Sequence, residues 1–383
     1  MDQGKVTALV LLDLSAAFDT VDHKILLHRL EHWFGISGFA LELLKSYLQN
    51  RTQAVWCNGV QSESAKMDFG VPQGSVLGPL LFTLYTTPLG SLLSDFPIDY
   101  HFYADDTQLF ISFNDKSSSS SLENLSACLN KIQSWMYDNK LALNPSKTEF
   151  LLLGTPHHLS KFDHINSVKF DDTIVNQSKS VRNLGVIFDK FMSFTDNINH
   201  ICKISHLQIR DIRRIRDLVP KSALIPLANA LVTSRLDYCN SLYNGITKTN
   251  MQKLQRIQNS ICRAITKTSR HDHIKPVLKS LHWLPVEMRI KFKTSLLVYK
   301  TLKNGQPLYL NSMLSNPKHS HSTRFAHSLL DVPRTNTELG KRAFSVAGPK
   351  LWNSLPLPVR AANQLSTFKS RLKTHLFLLA FPP

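Results

Sequence analysis

The chain has 383 residues, 43% of them apolar, with 18 Pro and 14 Gly, which is enough for about two to three subdomains with real cores and excludes collagenous, low-complexity and disordered classes. No window approaches the run of about twenty uncharged apolar residues that a membrane helix needs, and Met1-Asp2-Gln3-Gly4-Lys5 leads into an apolar stretch broken by Asp13 without a cleavage pattern. The expectation is therefore a soluble intracellular protein, cytoplasmic or nuclear, with no targeting signal and no membrane partner.

Val6 to Leu14 is a continuous apolar run of strand length that delivers Asp13 near its end, the pattern of a buried central strand. Apolar residues from Ile25 to Phe34 and from Leu41 to Leu48 recur at helical spacing and predict two helices. Thr52 to Cys57 and Ser64 to Phe69, joined through Asn58-Gly59, predict a hairpin. Pro72-Gln73-Gly74-Ser75 is a turn, and Val76 to Leu93 a long apolar helix broken near Pro88. In Asp99 to Phe113 two β-prone runs flank Asp105-Asp106, which predicts a hairpin with two carboxylates at its tip. The run Ser117 to Ser121 reads as a loop and helix start, followed by an amphipathic helix to about Asn139. Glu149 to Leu153, Ser167 to Phe170 and Val181 to Phe188 read as strands. Helices follow over Ile198 to Ile212, Leu224 to Leu236, Met251 to Ile265, Val286 to Leu302 and about Gln364 to Leu379, with a Pro/Ser/His-rich stretch of little period from 305 to 350.

The formal charge of +17 is unevenly placed: residues 1–190 hold 15 basic and 20 acidic side chains, and the remainder 30 and 8. An acidic functional half is thus joined to a basic half suited to polyanions, nucleic acid above all, or else to a plain basic surface. The five cysteines (Cys57, Cys128, Cys202, Cys239, Cys262) are odd in number and never in a Cys-x-x-Cys pair, so buried reduced thiols are expected. His157-His158, His271-x-His273 and His319-x-His321 lack cysteines at finger spacing and read as loop histidines.

Asp13, Asp105 and Asp106 stand out. A buried carboxylate needs a partner, and acids converging on one another repel unless a cation lies between them. Hard oxygen ligands suit Mg²⁺, and two ions about 3.5–4 Å apart would serve phosphoryl transfer. Taken singly, each Asp could equally cap a turn.

The company these acids keep decides between those readings. Leu12-Asp13-Leu14-Ser15-Ala16-Ala17-Phe18-Asp19-Thr20-Val21-Asp22-His23, then Gly70-Val71-Pro72-Gln73-Gly74-Ser75-Val76-Leu77-Gly78-Pro79-Leu80-Leu81-Phe82, then Tyr103-Ala104-Asp105-Asp106 closely resemble the palm of reverse transcriptases, in the wording of non-LTR (LINE-type, jockey-like) retrotransposons. Leu143 to Glu149 and Leu184 to Phe188 continue the likeness, and Leu281-His282-Trp283-Leu284-Pro285-Val286 and Gly348 to Pro356 resemble the tail of such elements. The resemblance implies an α+β right-hand palm on an antiparallel sheet over 1–190, an α-helical thumb over 191–270 and a basic helical C-terminal region over 271–383. It implies RNA-directed DNA polymerase activity on an RNA template, a DNA primer and dNTPs with two Mg²⁺, Mn²⁺ being a possible substitute.

By the same resemblance Asp13 and Asp105 bind both metals, Asp106 supports them and the Leu14 carbonyl completes the set. Phe18 is the gate that excludes a ribose 2′-hydroxyl, or simply a core aromatic. Gln73 and Gly74 lie beside the incoming base pair, with Gly74 admitting a close backbone approach. Lys147 protonates leaving pyrophosphate, or is a solvated charge. Leu184-Gly185-Val186 sit in the primer grip. Arg210, Arg213, Arg214 and Arg216 on one helix, with Lys253, Arg256 and Arg263 on another, track a phosphate backbone or form a solvated face.

The sequence departs from the resemblance at its start, where Asp13 follows Met1 by only twelve residues and no fingers subdomain or endonuclease precedes it. The expectation is an N-terminally truncated copy with apolar palm surface left exposed, either active, or an inactive relic that only binds nucleic acid, or completed by a fingers-bearing partner chain.

Overall fold

The computed structural model describes residues 4–170, 173–315 and 329–382. The chain divides into two compact units, one from Gly4 to Val181 and the other from Arg182 onward.

In the first unit β1 (Val6–Leu12) is a central strand. It pairs antiparallel with β8 (Asp106–Phe113) on one side and β10 (Glu149–Leu153) on the other, and β7 (Asp99–Tyr103) completes the order β10-β1-β8-β7. Val6, Ala8, Val10 and Leu12 project to one face with Leu109, Ile111, Phe113, Phe150 and Leu152, and all are buried in one cluster. Leu9 and Leu151, cross-strand partners on the opposite face, are buried too, which is why the run shows no alternation. Beyond Asp13 the chain bends, and β2 (Leu14–Ser15) pairs with β9 (Ala142–Leu143).

Helices α1 (His23–His32), α2 (Gly38–Leu48), α3 (Gly78–Leu93) and α4 (Ser118–Asp138) surround this core. Asp22 caps α1 by accepting from the amides of Lys24 and Ile25 at 2.8 and 3.0 Å. The expected break in α3 does not occur. Pro88 is buried within a continuous helix whose Leu81, Phe82, Tyr85 and Leu89 all enter the core, and that burial outweighs the one backbone bond the proline lacks. Ser118 to Ser121 form the first turn of α4, and Ser117 closes the 3-10 turn just before it (Asp115–Ser117), which Asn114 and Ser117 cap in a capping box. Arg29 is buried on α1; it donates to the Tyr85 carbonyl and to Asn139 Oδ1, lies 4.6 Å over the Tyr85 ring, and has its pKa drawn down by burial.

The predicted hairpin after α2 forms as β3 (Arg51–Gln53) with β6 (Ala65–Met67) and β4 (Trp56–Cys57) with β5 (Val60–Gln61), turning at Asn58 and Gly59, both at positive φ. The helical turn α5 (Pro156–Leu159), capped by Thr155, precedes β11 (Ser167–Phe170) and β12 (Thr173–Asn176). Its His158 bonds the Thr155 hydroxyl at 3.0 Å.

One strand over Val181 to Phe188 is replaced by a hairpin of β13 (Ser180–Asn183) and β14 (Val186–Asp189). Leu184 and Gly185 form its tip at φ 44° and 81°, a two-residue turn that apolar flanks concealed. The second unit continues through α6 (Thr195–Ile215), α7 (Lys221–Ala228), a π-turn at Asn229–Thr233, α8 (Ser234–Asp237), α9 (Lys248–Thr266) and α10 (Ile274–Ser280). There follow α11 (Val286–Asn304), α12 (Leu308–Asn311), α13 (Phe344–Ser354), α14 (Leu357–Arg360) and α15 (Leu365–Ala380). It has two cores, and α11 serves both: Val286 and Ile290 enter one, Val298 and Tyr299 the other. Leu254, Ile261 and Leu278 share the first of these, so no break falls between residues 270 and 271. The His319-x-His321 pair lies outside the described residues.

All five thiols are free. Burial pushes Cys128 up to about 12 and Cys262 to about 11, which keeps both protonated, whereas Cys57 is exposed, against expectation. Among the described residues no helix is long and apolar enough to cross a membrane.

Candidate active site

Strand register brings the three acids to one end of the sheet. Leu12 pairs with Thr107, so Asp13 follows directly beside the start of β8, while Tyr103 pairs with Asp106 and leaves Ala104 and Asp105 as the hairpin turn. Ala104 adopts φ 54°, the left-handed conformation that such a tight turn demands. Asp13 and Asp105 are half-buried and Asp106 is exposed at the rim. Partial burial, and then the charges of Asp105 and Asp13, push the Asp106 carboxyl above its ordinary value, which is the electrostatic signature of three acids within reach of one another.

The other side of Asp13 is fixed by the Asn144-Pro145-Ser146-Lys147 turn. The Asn144 amide donates to the Asp13 carbonyl at 2.8 Å, and the Asn144 carbonyl accepts from the amides of Lys147 and Thr148. Lys147 Nζ consequently lies 3.4 Å from Asp13 Oδ2, an ion contact without hydrogen-bond alignment, and Oδ2 is buried with no hydrogen-bond partner. Leu14, whose carbonyl was assigned to the metal set, lies in β2 with its side chain buried.

Among the described residues no group of three His, Cys, Asp or Glu side chains stands ready to hold a metal ion. The donors nevertheless fit a hard divalent cation in chemistry: all are carboxylate oxygens, one lacks a hydrogen bond, and their mutual repulsion is what a cation would relieve. Lys147 now supplies the positive charge nearest Asp13.

Phe18 sits in the turn after β2. Its ring packs 4.8 Å from that of Phe82, centroid to centroid, and its carbonyl accepts from Val71 at 2.8 Å. That bond, with Gly70 donating to Val21 and His23 Nε2 at 2.7 Å from the Gly70 carbonyl, fastens the Gly70–Gly74 segment alongside residues 18–23. Gly70 is obligatory here: its φ is 87°, and a Cβ would stand 2.9 Å from the Asp19 carbonyl oxygen. Gln73 and Gly74 are exposed, and Gly74 has φ 78° with open space beside it, so its backbone needs glycine without any crowding neighbour in the protein itself. Ser75 accepts from the Gly78 amide at 3.0 Å and so starts α3.

Sequence reasoning assigned no role to Gly70 or Asn144. The Asn-Pro-Ser run was a turn signal that could have found the second, whereas the need for glycine at 70 arises only from a contact distant in sequence.

In the second unit Arg210, Arg213 and Arg214 are exposed on α6, but Arg210 and Arg214 lie 3.6 and 3.8 Å from Asp211. Arg216 lies 3.8 Å from Asp217. On α9 Lys253 donates to Asn199 Oδ1 at 2.7 Å, Arg256 is exposed, and Arg263 is tied to the carbonyls of Ser269 and Asp272. Arg263 thus braces a loop and Arg216 and Lys253 are half-buried, whereas Arg210, Arg213, Arg214 and Arg256 present charge to solvent.

An antiparallel sheet flanked by helices, with acids at a strand end and a hairpin tip, defines an α+β polymerase-type palm. Residues 1–188 match the family described as reverse transcriptase (RNA-dependent DNA polymerase). Over these residues, just under half of the chain, it is similar to reverse transcriptases, and the curated relatives it resembles are RNA-directed DNA polymerases of mobile elements. It is 26% identical over 310 residues to the probable RNA-directed DNA polymerase from transposon BS of Drosophila melanogaster, covering 77% of this chain and 33% of that one. To the RNA-directed DNA polymerase from mobile element jockey of the same fly it is 22% identical, covering 70% and 29%. The chain thus spans about a third of the length of these curated relatives. A telomerase structure from Candida albicans is a distant likeness, with a TM-score of 0.32 at 15% identity over 75% of this chain and 47% of that one.

Proposed function

We propose that the chain is the polymerase portion of a non-LTR retrotransposon reverse transcriptase, joining a dNTP to a primer 3′-hydroxyl opposite an RNA template. The observation that carries this reading is the meeting of Asp13, Asp105 and Asp106 at one end of the sheet, with Asp106 pushed up by the other two. Asp13 and Asp105 would hold two Mg²⁺, or Mn²⁺, with Asp106 and the Leu14 carbonyl in support. Bound there, the ions would activate the attacking oxygen and stabilise the leaving one.

The chain's own residues do the rest. Phe18, whose ring packs against Phe82, excludes a 2′-hydroxyl. Gln73 and Gly74 border the incoming base pair. Lys147 neutralises Asp13 until substrate arrives and then gives a proton to the departing pyrophosphate, a role worth about 10²–10⁴-fold. Arg210, Arg213, Arg214, Lys253 and Arg256 hold the nucleic-acid backbone without reading sequence. Exposed Phe39, Leu43, Val55 and Trp56 in the first unit are the surface on which a fingers-bearing partner would sit.

Primer extension on an RNA template with dNTPs and Mg²⁺ tests this, beside the Asp105→Asn variant and a gel shift of the same duplex. Incorporation should fall by about 10²–10³-fold in the variant, the cost of removing one preorganised electrostatic contact. Equal activity in Asp105→Asn refutes the assignment. No extension by either protein, with salt-sensitive binding kept, leaves a nucleic-acid-binding chain that does not polymerise.

A further inference from the structure

A pocket of about 530 Å³ lies wholly within the second unit, lined by none of the residues placed in the proposed polymerase site or nucleic-acid contacts. The helical course from Lys221 to Asp237 widens at Asn229–Thr233 into a π-turn, and both Asn229 and Thr233 line the pocket. Such turns are rare and gather at functional sites.

Arg289 grips Asp237 through two hydrogen bonds of 2.8 and 2.5 Å, so this pair is spent on itself. Asn240 also lines the pocket and is 2% exposed. Its Nδ2 donates to Asp237 Oδ1 at 3.2 Å, which fixes the amide's orientation and leaves Oδ1 buried without a partner. A buried acceptor with no donor is costly, and a ligand N–H would remove the cost. Trp283 and Phe292 add aromatic surface, and Lys293 and the exposed Lys373 add positive charge. Neighbouring His282 is held at φ 53°, stacked 5.5 Å from Phe377.

An unfilled amide acceptor, aromatic surface and two cations match the three parts of a nucleotide. We propose that this pocket binds a single nucleotide whose base carries an exocyclic amino group. The amino group donates to Asn240 Oδ1, the ring lies against the aromatic wall, and the phosphate meets Lys293 and Lys373. A bare phosphate would leave Asn240 unanswered, and a cation would be repelled by the lysines. The nucleotide is either free dNTP or one base splayed out of a bound strand, since both present the same groups.

Two probes separate these sources, both applied to the full chain in EDTA, which withdraws divalent ions from the acids of the first unit. Equilibrium dialysis with dATP and dTTP reports free nucleotide. A single-stranded DNA oligonucleotide carrying 2-aminopurine, whose emission rises on unstacking, reports a splayed base. Asn229→Trp, at an exposed position, fills the pocket, and Lys293→Glu with Lys373→Glu reverses its charge; circular dichroism verifies folding, and the charge variant decides if the first fails to fold.

Tighter binding of dATP than of dTTP by about tenfold or more, lost in the variants, establishes a free-nucleotide site. An emission rise on the wild type that the variants abolish, without dATP binding, establishes a strand site. Equal binding of dATP and dTTP, or no effect of either folded variant on either probe, overturns the proposal.

Discussion

The Asp106 carboxyl ionises less readily in the folded protein than in an open chain, because partial burial and the charges of Asp105 and Asp13 all oppose its negative form. A carboxyl raised in this way contributes to stability while it is protonated. That contribution is complete below the ordinary value of 3.8 and is lost as pH rises through the raised one. Asp106→Asn should therefore melt at a higher temperature than the wild type at neutral pH, with the gain vanishing as pH falls below that ordinary value. Thermal melts in EDTA across this range measure it, and a gain independent of pH would show that Asp106 is not strained by its neighbours. Restoring Mg²⁺ should raise the wild-type melting temperature more than the variant's, since a cation bound only by the native acids stabilises by mass action. The sequence disclosed these acids because each stands at one end of a β-prone run. The contact of Lys147 with Asp13 was not legible, because it depends on the pairing of β2 with β9, which no local pattern encodes.

At the scale of elements, the junction between residues 18–23 and 70–74 holds the proposed gate and the Gln73-Gly74 turn together, and its tolerance can be ranked. Gly74 needs its left-handed φ of 78° but has open space, so Gly74→Ala should cost only the conformational strain of about 1–2 kcal/mol. Gly70 has the same need at φ 87°, with the Asp19 backbone 2.9 Å from a would-be Cβ, so Gly70→Ala must also move a chain segment. Urea unfolding should rank Gly70→Ala as clearly the more destabilising; equal costs would mean that the 18–23 turn yields freely. Elements with strong local chemistry were legible: Asn58-Gly59 announced its hairpin, and the 3.6-residue period announced α6 and α9. Elements decided by tertiary burial were misread. Pro88 is carried within α3 because its neighbours fill the core, and the Leu184-Gly185 turn hides in an apolar run because its flanking strands are themselves half-buried.

For the whole molecule the governing fact is charge. Beyond residue 190 basic side chains outnumber acidic ones 30 to 8, so binding of a polyanion should weaken steeply with salt as counterions are released. The structure distinguishes residues that the sequence could only group. Arg210 and Arg214 share Asp211 at 3.6 and 3.8 Å, whereas Arg213 stands exposed on the same helix. If α6 tracks a duplex backbone, Arg213→Ala should reduce the slope of log K against log salt by about 0.9, the contribution of one phosphate contact. Arg210→Ala or Arg214→Ala alone should reduce it less, because Asp211 already takes part of their charge, and Asp211→Ala should steepen it. Fluorescence anisotropy of a labelled duplex over a salt series measures all four. Slopes that stay unchanged throughout would assign α6 to solvent and leave Lys253 and Arg256 on α9 as the remaining phosphate contacts. A loss of affinity without a change of slope would instead mean that these substitutions act through folding, since only a lost phosphate contact changes the number of ions released.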